Sequence, residues 1–398
     1  MLCGKRSCPL VAKARALARL GETIDSEHVS GSSPPSVFVG RAGYPKVYVG
    51  PMIPPFHGDT EILDVPERWV GRSIQDIIDF RFSLIRGKSR CDIYDASQGG
   101  RLVDTLQELA MGVSPTDSEA SFESRPRKIL ALSEDAPPFG PSALLRSFRT
   151  SNVSVDQRIE DAYYDRDLKA AEAIAELYDD GVLVSQIQRA FSVGMFGVGA
   201  RRRLVPTRWS ITAVDSTLSL RFVEEIKQYN TIDDFRVYSF CNLDNIFVAV
   251  LMPENWKFEW IEAWFPGTTW NPGESTSSAV LMGDSEDYWG RRTYASVGGC
   301  YYSCRLAVSE VLRNECRQAS ALVLREIHPG YILPVGVWNV RESVRAALKT
   351  TPRRFTSLDP ALNFAMSQLT IPLRKWVASS TLLKQALYQR KITDYSNV

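Results

Sequence analysis

The chain has 398 residues, enough for two domains that each bury a core of their own. Its 44% hydrophobic and 23% charged content is that of an ordinary globular protein, and a net charge of +1 excludes a protein that coats duplex DNA through a general basic excess. No run approaches 18 apolar residues, Lys5, Arg6, Lys13, Arg15 and Arg19 interrupt any secretory core, and seven irregularly spaced cysteines argue against a disulfide framework, so the reading is a cytoplasmic protein with no membrane span.

Cys3 and Cys8 open the chain with a four-residue gap, a Gly between them and Pro9 after them, the form of half a zinc knuckle. His28 or a partner chain would have to complete it, and a metal-free N-terminus is the expectation. A helix is predicted over 9–20, then a Ser/Gly/Pro linker over 30–35, then strands at 37–39 and 47–49 around the turn Gly43-Tyr44-Pro45. The rigid run 50–57 reads either as a loop capping the sheet or as one wall of a cleft. Apolar residues at Ile74, Ile77, Ile78 and Phe82 give helical spacing with Ser73 as cap. The polar stretch 112–127 reads as a surface loop, 128–132 as a strand, Ser142 as a helix cap, and 156–178 as one long amphipathic helix.

The densest chemistry lies at 194–215. Gly194, Gly197 and Gly199 lead into Arg201, Arg202 and Arg203, followed by Thr207, Arg208, Ser210, Thr212 and Asp215. Guanidinium groups meet phosphate oxygens through paired hydrogen bonds, and hydroxyls add to them. The glycine spacing matches neither a P-loop nor a dinucleotide fingerprint. Pro206 and the alternation of Trp209, Ile211 and Ala213 with polar residues predict a buried strand with a polar rim. Two readings stay open: an anion site, or a structural Arg208–Asp215 ion pair beside a packed Trp209.

Three strands are expected at 235–240, 246–252 and 258–264 as an antiparallel sheet, within a region whose six tryptophans read more readily as core than as base-stacking groups. A polar stretch at 267–278 suggests a domain boundary. Asp284, Glu286 and Asp287 read as an acidic turn, either solvated or holding magnesium. Arg291 and Arg292 follow. A helix over 300–318 sets Tyr301 and Arg305 on one face, and Cys300 and Cys304 read as packed thiols. A strand over 320–327 and a helix over 338–348 carry charges expected to form interdomain ion pairs. A helix is expected from Ser379 to Tyr388. Behind it Gln389, Ile392 and Tyr395 are spaced like a sliding-clamp-binding box, with Ser396 where a second aromatic would stand.

The stretch from Arg202 to Asp215 resembles the central motif of the archaeal Nre family of DNA repair proteins. The stretches 36–52, 290–310 and 334–342 agree with that family in order. The resemblance covers nearly the whole chain and implies a place in DNA repair beside the sliding clamp, with no settled reaction. It also implies that Cys3 and Cys8 correspond to the second pair of a four-cysteine motif whose first pair lies upstream of this start, and it includes Asp284 and Glu286.

The combined expectation is an α+β protein of two domains, with mixed or antiparallel sheets and surrounding helices. Residues 1–30 form an N-terminal segment, 31–278 and 279–378 the two domains, and 379–398 a helix and clamp-binding tail. The DNA- or nucleotide-binding set is Arg201, Arg202, Arg203, Thr207, Arg208, Ser210, Thr212, Arg291, Arg292, Tyr301 and Arg305. Should the protein be an enzyme acting on phosphodiesters or nucleotides, Asp215, Asp284 and Glu286 are its candidate metal ligands. Zinc at the N-terminus and magnesium or a bound nucleotide elsewhere are the cofactors to look for.

Overall fold

The computed structural model describes residues 8–20, 26–127, 139–272 and 278–389. The chain is α+β and divides into two compact units, one running to Leu218 and including Leu333–Trp338, the other holding Ser219–Ile332 and the residues from Asn339 onward.

The first unit is built on a mixed six-stranded sheet in the order β1 (His28–Ser33), β5 (Thr116–Phe122), β6 (Ser142–Thr150), β4 (Ile85–Asp92), β3 (Lys46–Ile53) and β2 (Val37–Val39). All neighbours are antiparallel except the β4–β6 pair. The expected hairpin at 37–49 is present, with Gly43 in the left-handed region at its turn. Ser73 caps α2 (Ile74–Ser83) in a reciprocal capping box with Asp76, as its spacing suggested. The other helices of this unit are α1 (Pro9–Leu20), α3 (Asp95–Gln98), α4 (Arg101–Met111), α5 (Gln157–Tyr164), α6 (Ala170–Asp179) and α7 (Val184–Ser192).

Several sequence expectations are corrected here. The supposed linker at 30–35 is largely β1, in which Gly31 lies so close to the next segment that an added Cβ would sit 1.9 Å from the Pro54 carbonyl oxygen. The supposed loop at 112–127 contains β5, whose buried positions are Thr116, Ser118, Ala120 and Phe122: a true two-residue period, hidden because three of the four are small or polar. Ser142 begins a strand, not a helix. The long helix at 156–178 is two, because the Asp165 carboxylate accepts the amides of Asp167 (2.9 Å) and Leu168 (3.0 Å) and turns the chain between them. The expected strand at 128–132 lies outside the described residues.

The predicted strand at 209–213 is the start of α8 (Thr207–Ile226). The Pro206 carbonyl accepts from the amides of Trp209 (2.7 Å) and Ser210 (2.9 Å), so Pro206 stands at the entrance of the helix, where a missing N–H costs nothing. Val214, Leu218, Phe222 and Ile226 recur every four residues and are all buried, a longer signal than the short alternation before them.

The second unit carries a mixed six-stranded sheet in the order β10 (Val280–Glu286), β9 (Lys257–Trp264), β11 (Ser320–Ile327), β8 (Asn245–Met252), β7 (Phe235–Asn242) and β12 (Arg353–Phe355). The three expected strands β7, β8 and β9 all form, but β11 lies between β8 and β9 and pairs with β9 in parallel. This sheet takes strands from both sides of residue 278. Its β8, β9 and β11 are buried along nearly their whole length. One face, with Val248, Val250, Ile261 and Leu322, packs on Leu362 of α11 (Leu358–Ser367), Trp376 of α12 (Leu373–Ser379) and Leu383 of α13 (Thr381–Tyr388). On the other, Phe258 meets Tyr301 of α9 (Gly299–Asn314) edge-on at 5.0 Å. The remaining helix is α10 (Trp338–Leu348).

Of the charges read as interdomain pairs, Arg325 meets Glu262 (3.0 Å) across residue 278 but within this unit, and Arg345 meets Glu310 (2.7 Å) and Glu342 (2.9 Å) on the same side of it. No helix among the described residues is long and apolar enough to cross a membrane.

Candidate functional site

The 194–215 stretch separates into buried and exposed groups. Arg202 is buried, and its guanidinium donates to the carbonyls of Tyr163 (2.6 Å), Gly197 (2.7 Å) and Asp165 (2.7 Å). It pins a loop and does not face a ligand. Gly194 has φ +75, and a Cβ there would meet the Arg203 carbonyl oxygen at 2.6 Å, so this glycine serves close packing of the loop on its own continuation. Ser210 and Asp215 are buried in α8 against α7. Ser210 donates to the Gln188 backbone carbonyl, and Asp215 accepts from the Gln188 side-chain Nε2 at 2.8 Å. Thr207 accepts the Val39 amide at 2.9 Å, and Thr212 bonds back to the Arg208 carbonyl at 3.4 Å.

Arg201, Arg203, Arg208 and Trp209 are left on the surface. Two backbone–backbone hydrogen bonds and one from a backbone amide to a side-chain hydroxyl hold that surface together. The Ile93 amide donates to Pro45 (3.1 Å), the Leu204 amide to Ile93 (2.8 Å), and the Val39 amide to Thr207. The hairpin turn, the residues after β4 and the entrance of α8 are thereby fixed side by side. Tyr44 and Trp209 are 47% and 45% exposed, and their rings lie 5.2 Å apart. Arg203 stacks on exposed Tyr94 at 4.7 Å. The nearby carboxylates are engaged locally, Asp92 accepting the Tyr94 amide (3.2 Å) and Asp95 the Asp92 amide (2.9 Å). Sequence reasoning missed Tyr44 and Tyr94. The only signal for Tyr44 was its place in a hairpin turn, where an aromatic cannot be buried by its own strand.

In the second unit Asp284 and Glu286 lie on β10, not on an acidic turn. Asp284 is held by Arg291 (2.8 Å) and the Ser296 amide (2.7 Å); burial would push its carboxyl up, but these partners hold it below the usual carboxylate range. Glu286 accepts from Arg305 (2.7 Å) and from the Trp256 indole (3.1 Å), with both ion-pair side chains almost wholly buried. Tyr301 is fully buried, and burial pushes its hydroxyl far above its ordinary value. Tyr301 and Arg305 therefore share a face as expected, but that face is core. Arg292 is exposed and borders a cleft of about 330 Å³ with Lys257, Arg291 and Gln385. Cys304 is buried, and burial raises its thiol well above the cysteine range.

Among the described residues no group of three His, Cys, Asp or Glu side chains gathers as a metal site needs. Cys8 stands just before α1, while Cys3 lies outside the described residues. Gln389 follows α13 directly, and Ile392 and Tyr395 lie outside the described residues.

Residues 2–271 match the family model for the archaeal Nre N-terminal region, and residues 286–395 the one for the archaeal Nre C-terminal region. The chain is 44% identical to DNA repair protein NreB of Archaeoglobus fulgidus over 397 residues, covering 99% of this chain and 97% of that protein. It is 39% identical to DNA repair protein NreA of the same organism, with 92% and 90% of the two chains covered. To DNA repair protein NreA of Haloferax volcanii it is 36% identical, with 95% and 91% covered. No solved structure matches.

Proposed function

The chain belongs to the archaeal Nre family, and from that premise we propose that it acts in DNA repair by holding unpaired DNA on the exposed face of Tyr44, Trp209, Arg203 and Arg208. The observation that carries this reading is the Tyr44–Trp209 pair, two large rings left in solvent by a rigid backbone framework and flanked by arginines. An exposed aromatic next to guanidinium groups suits a strand whose bases stack while its phosphates pair, each stacked base contributing about 1–3 kcal/mol. With a net charge of only +1, contact is confined to such a local surface.

Arg208→Ala and Trp209→Ala are each expected to weaken binding of a single-stranded oligonucleotide roughly tenfold, the loss of one charge-assisted contact or one stacked base. Arg208→Ala also flattens the salt dependence, whereas Trp209→Ala leaves that slope alone. Fluorescence anisotropy at two salt concentrations reads both, and unchanged affinity in folded variants removes this face from the proposal.

The proposal includes recruitment through the tail. α13 ends at Tyr388, and the Gln389 amide makes its last helical bond, to the Gln385 carbonyl (3.0 Å), so the Gln389-Ile392-Tyr395 box starts where the helix stops. Burying Ile392 and Tyr395 in a clamp pocket contributes about 3–5 kcal/mol before the cost of ordering them, which supports a micromolar contact. Titrating a sliding clamp against the full chain and against a chain ending at Tyr388 is expected to show binding only for the full chain; equal affinities would assign docking elsewhere.

A further inference from the structure

In the first unit two arginines also gather at one carboxylate, Asp64, and a third lies beside them. Arg81 donates to Asp64 at 2.9 Å, the Ser36 hydroxyl takes the other Asp64 oxygen at 2.7 Å, and Arg189 stands 3.8 Å from that same oxygen. The second acidic group near Arg189 is Glu67, whose carboxylate is already occupied by the amide (2.9 Å) and hydroxyl (2.8 Å) of Ser185. Arg86 has no carboxylate partner among the described residues. It lies against the rings of Phe139 (4.2 Å) and Phe38 (5.2 Å) and is repelled by Arg81. Lys88, two residues on along β4 and so on the same face of the strand, adds a further cation beside it.

The Nε atoms of Arg81, Arg86 and Arg189 are all buried without a hydrogen-bond partner among the described residues, and the Arg189 side chain is only 8% exposed. Three orphaned guanidinium donors in one neighbourhood are rare in a folded protein, since each buried donor left unpaired is costly. Among the described residues cations outnumber carboxylates here, so an anion is the acceptor that would satisfy these donors. We propose that Arg81, Arg86 and Arg189 form a binding site for a phosphate group, carried either on a free nucleotide or on the end of a DNA strand. A phosphate accepts from several guanidinium groups at once and brings more than one negative charge to a site that has more than one cation to spare. Burial and the neighbouring Arg81 also depress Arg86 to about 10, which leaves it charged at neutral pH and sensitive to the arrival of an anion.

The test uses the full chain. Inorganic phosphate is expected to raise the thermal midpoint progressively with concentration, beyond the effect of chloride at equal ionic strength. In Arg86→Met this phosphate-specific rise disappears, while the midpoint in chloride stays level or increases because an uncompensated buried cation has gone. Should Arg86→Met fail to fold, Lys88→Met is expected to diminish the same rise. Absence of a phosphate-specific rise in the unaltered protein, or its full persistence in the variant, would overturn the proposal. Two further arms locate the source. A strand bearing a 5′-phosphate that binds roughly tenfold tighter than the same strand with a 5′-hydroxyl assigns a strand end. Equal binding of the two strands, with a nucleoside monophosphate protecting at lower concentration than inorganic phosphate, assigns a free nucleotide. Inorganic phosphate reports on this site without any base to stack, and Trp209→Ala reports on the Tyr44–Trp209 face, so failure of that face and failure of this site are separately visible.

Discussion

Glu286→Ala is expected to destabilise the second unit by about 3–5 kcal/mol, the cost of stranding a buried ion-pair partner. The Arg305 and Glu286 side chains are 2% and 1% exposed, and their contact is 2.7 Å. Without the carboxylate, Arg305 faces the Ser219 hydroxyl at 3.1 Å and the Tyr301 and Tyr302 rings at 5.7 Å and 5.3 Å, none of which carries a compensating charge, and the Trp256 indole loses its acceptor. A loss of that size is a large fraction of the roughly 5–15 kcal/mol that holds a domain folded. Urea unfolding followed by far-UV circular dichroism measures it. Replacing both partners, Glu286→Leu with Arg305→Met, is expected to recover much of the loss, because the penalty lies in the orphaned charge. If instead Glu286→Ala unfolds like the unaltered protein, the pair is not structural, and the reading of Glu286 as a metal ligand regains its force.

That prediction depends on a distinction composition does not make. Arg202, Ser210, Asp215, Tyr301, Arg305 and Glu286 have the chemistry of a phosphate or metal site, and the sequence shows nothing of where they point. The structure turns all six inward and gives the polar groups of Arg202, Ser210, Asp215, Arg305 and Glu286 protein partners. Arg201, Arg203 and Arg208 were read from the same motif and remain outside, so the motif was found and its division into core and surface was not. Trp209 shows the cause. A two-residue alternation over five positions suggested a strand, whereas the four-residue recurrence that identifies α8 begins at Ser210 and becomes apolar only from Val214 onward.

Long apolar elements were legible. β7, β8, β9, β11 and α9 were all expected at nearly their observed positions, because each runs through a core that selects its residues. Their neighbours in the sheet were not, since β11 enters between β8 and β9 from some 55 residues downstream and local pattern is blind to such pairing. β1 and β5 escaped for the opposite reason: they pair with each other through Ser, Gly, Thr and Ala, residues that read as loop unless the partner strand is known. The cluster of Arg81, Arg86 and Arg189 draws on α2, β4 and α7, more than 100 residues apart at the extremes, and no spacing announces it.

Glu326→Gln is expected to cost the second unit about 3 kcal/mol near neutral pH, and the cost should shrink in acid. Glu326 is the penultimate residue of the buried strand β11 and is itself fully buried. Its carboxylate accepts from the Thr370 amide (3.0 Å), the Thr370 hydroxyl (2.8 Å) and the Ile371 amide (2.8 Å), fixing the turn between α11 and α12 onto the sheet. Hydrogen bonds to a charged acceptor contribute about 1.5–3 kcal/mol each, and the neutral amide keeps only part of them. Burial by itself would push this carboxyl up; the His328 imidazole, 3.3 Å away, together with the Ile371 and Thr370 donors, outweighs it and holds Glu326 below the ordinary glutamate value. A carboxylate whose folded value is depressed stabilises fully above the unfolded value, about 4.3, and loses that contribution as pH falls through the lower folded one. The unaltered protein and the glutamine variant should thus differ most at pH 6–7 by about that 3 kcal/mol and converge from about pH 5 downward. Other depressed carboxylates, Asp156, Asp234 and Asp284 among them, titrate alike in both proteins, so the difference between the two denaturation curves reports on Glu326 together with its contact to His328. A difference that stays constant from pH 7 to pH 3 would mean that Glu326 supports the turn through shape alone and that its charge contributes nothing.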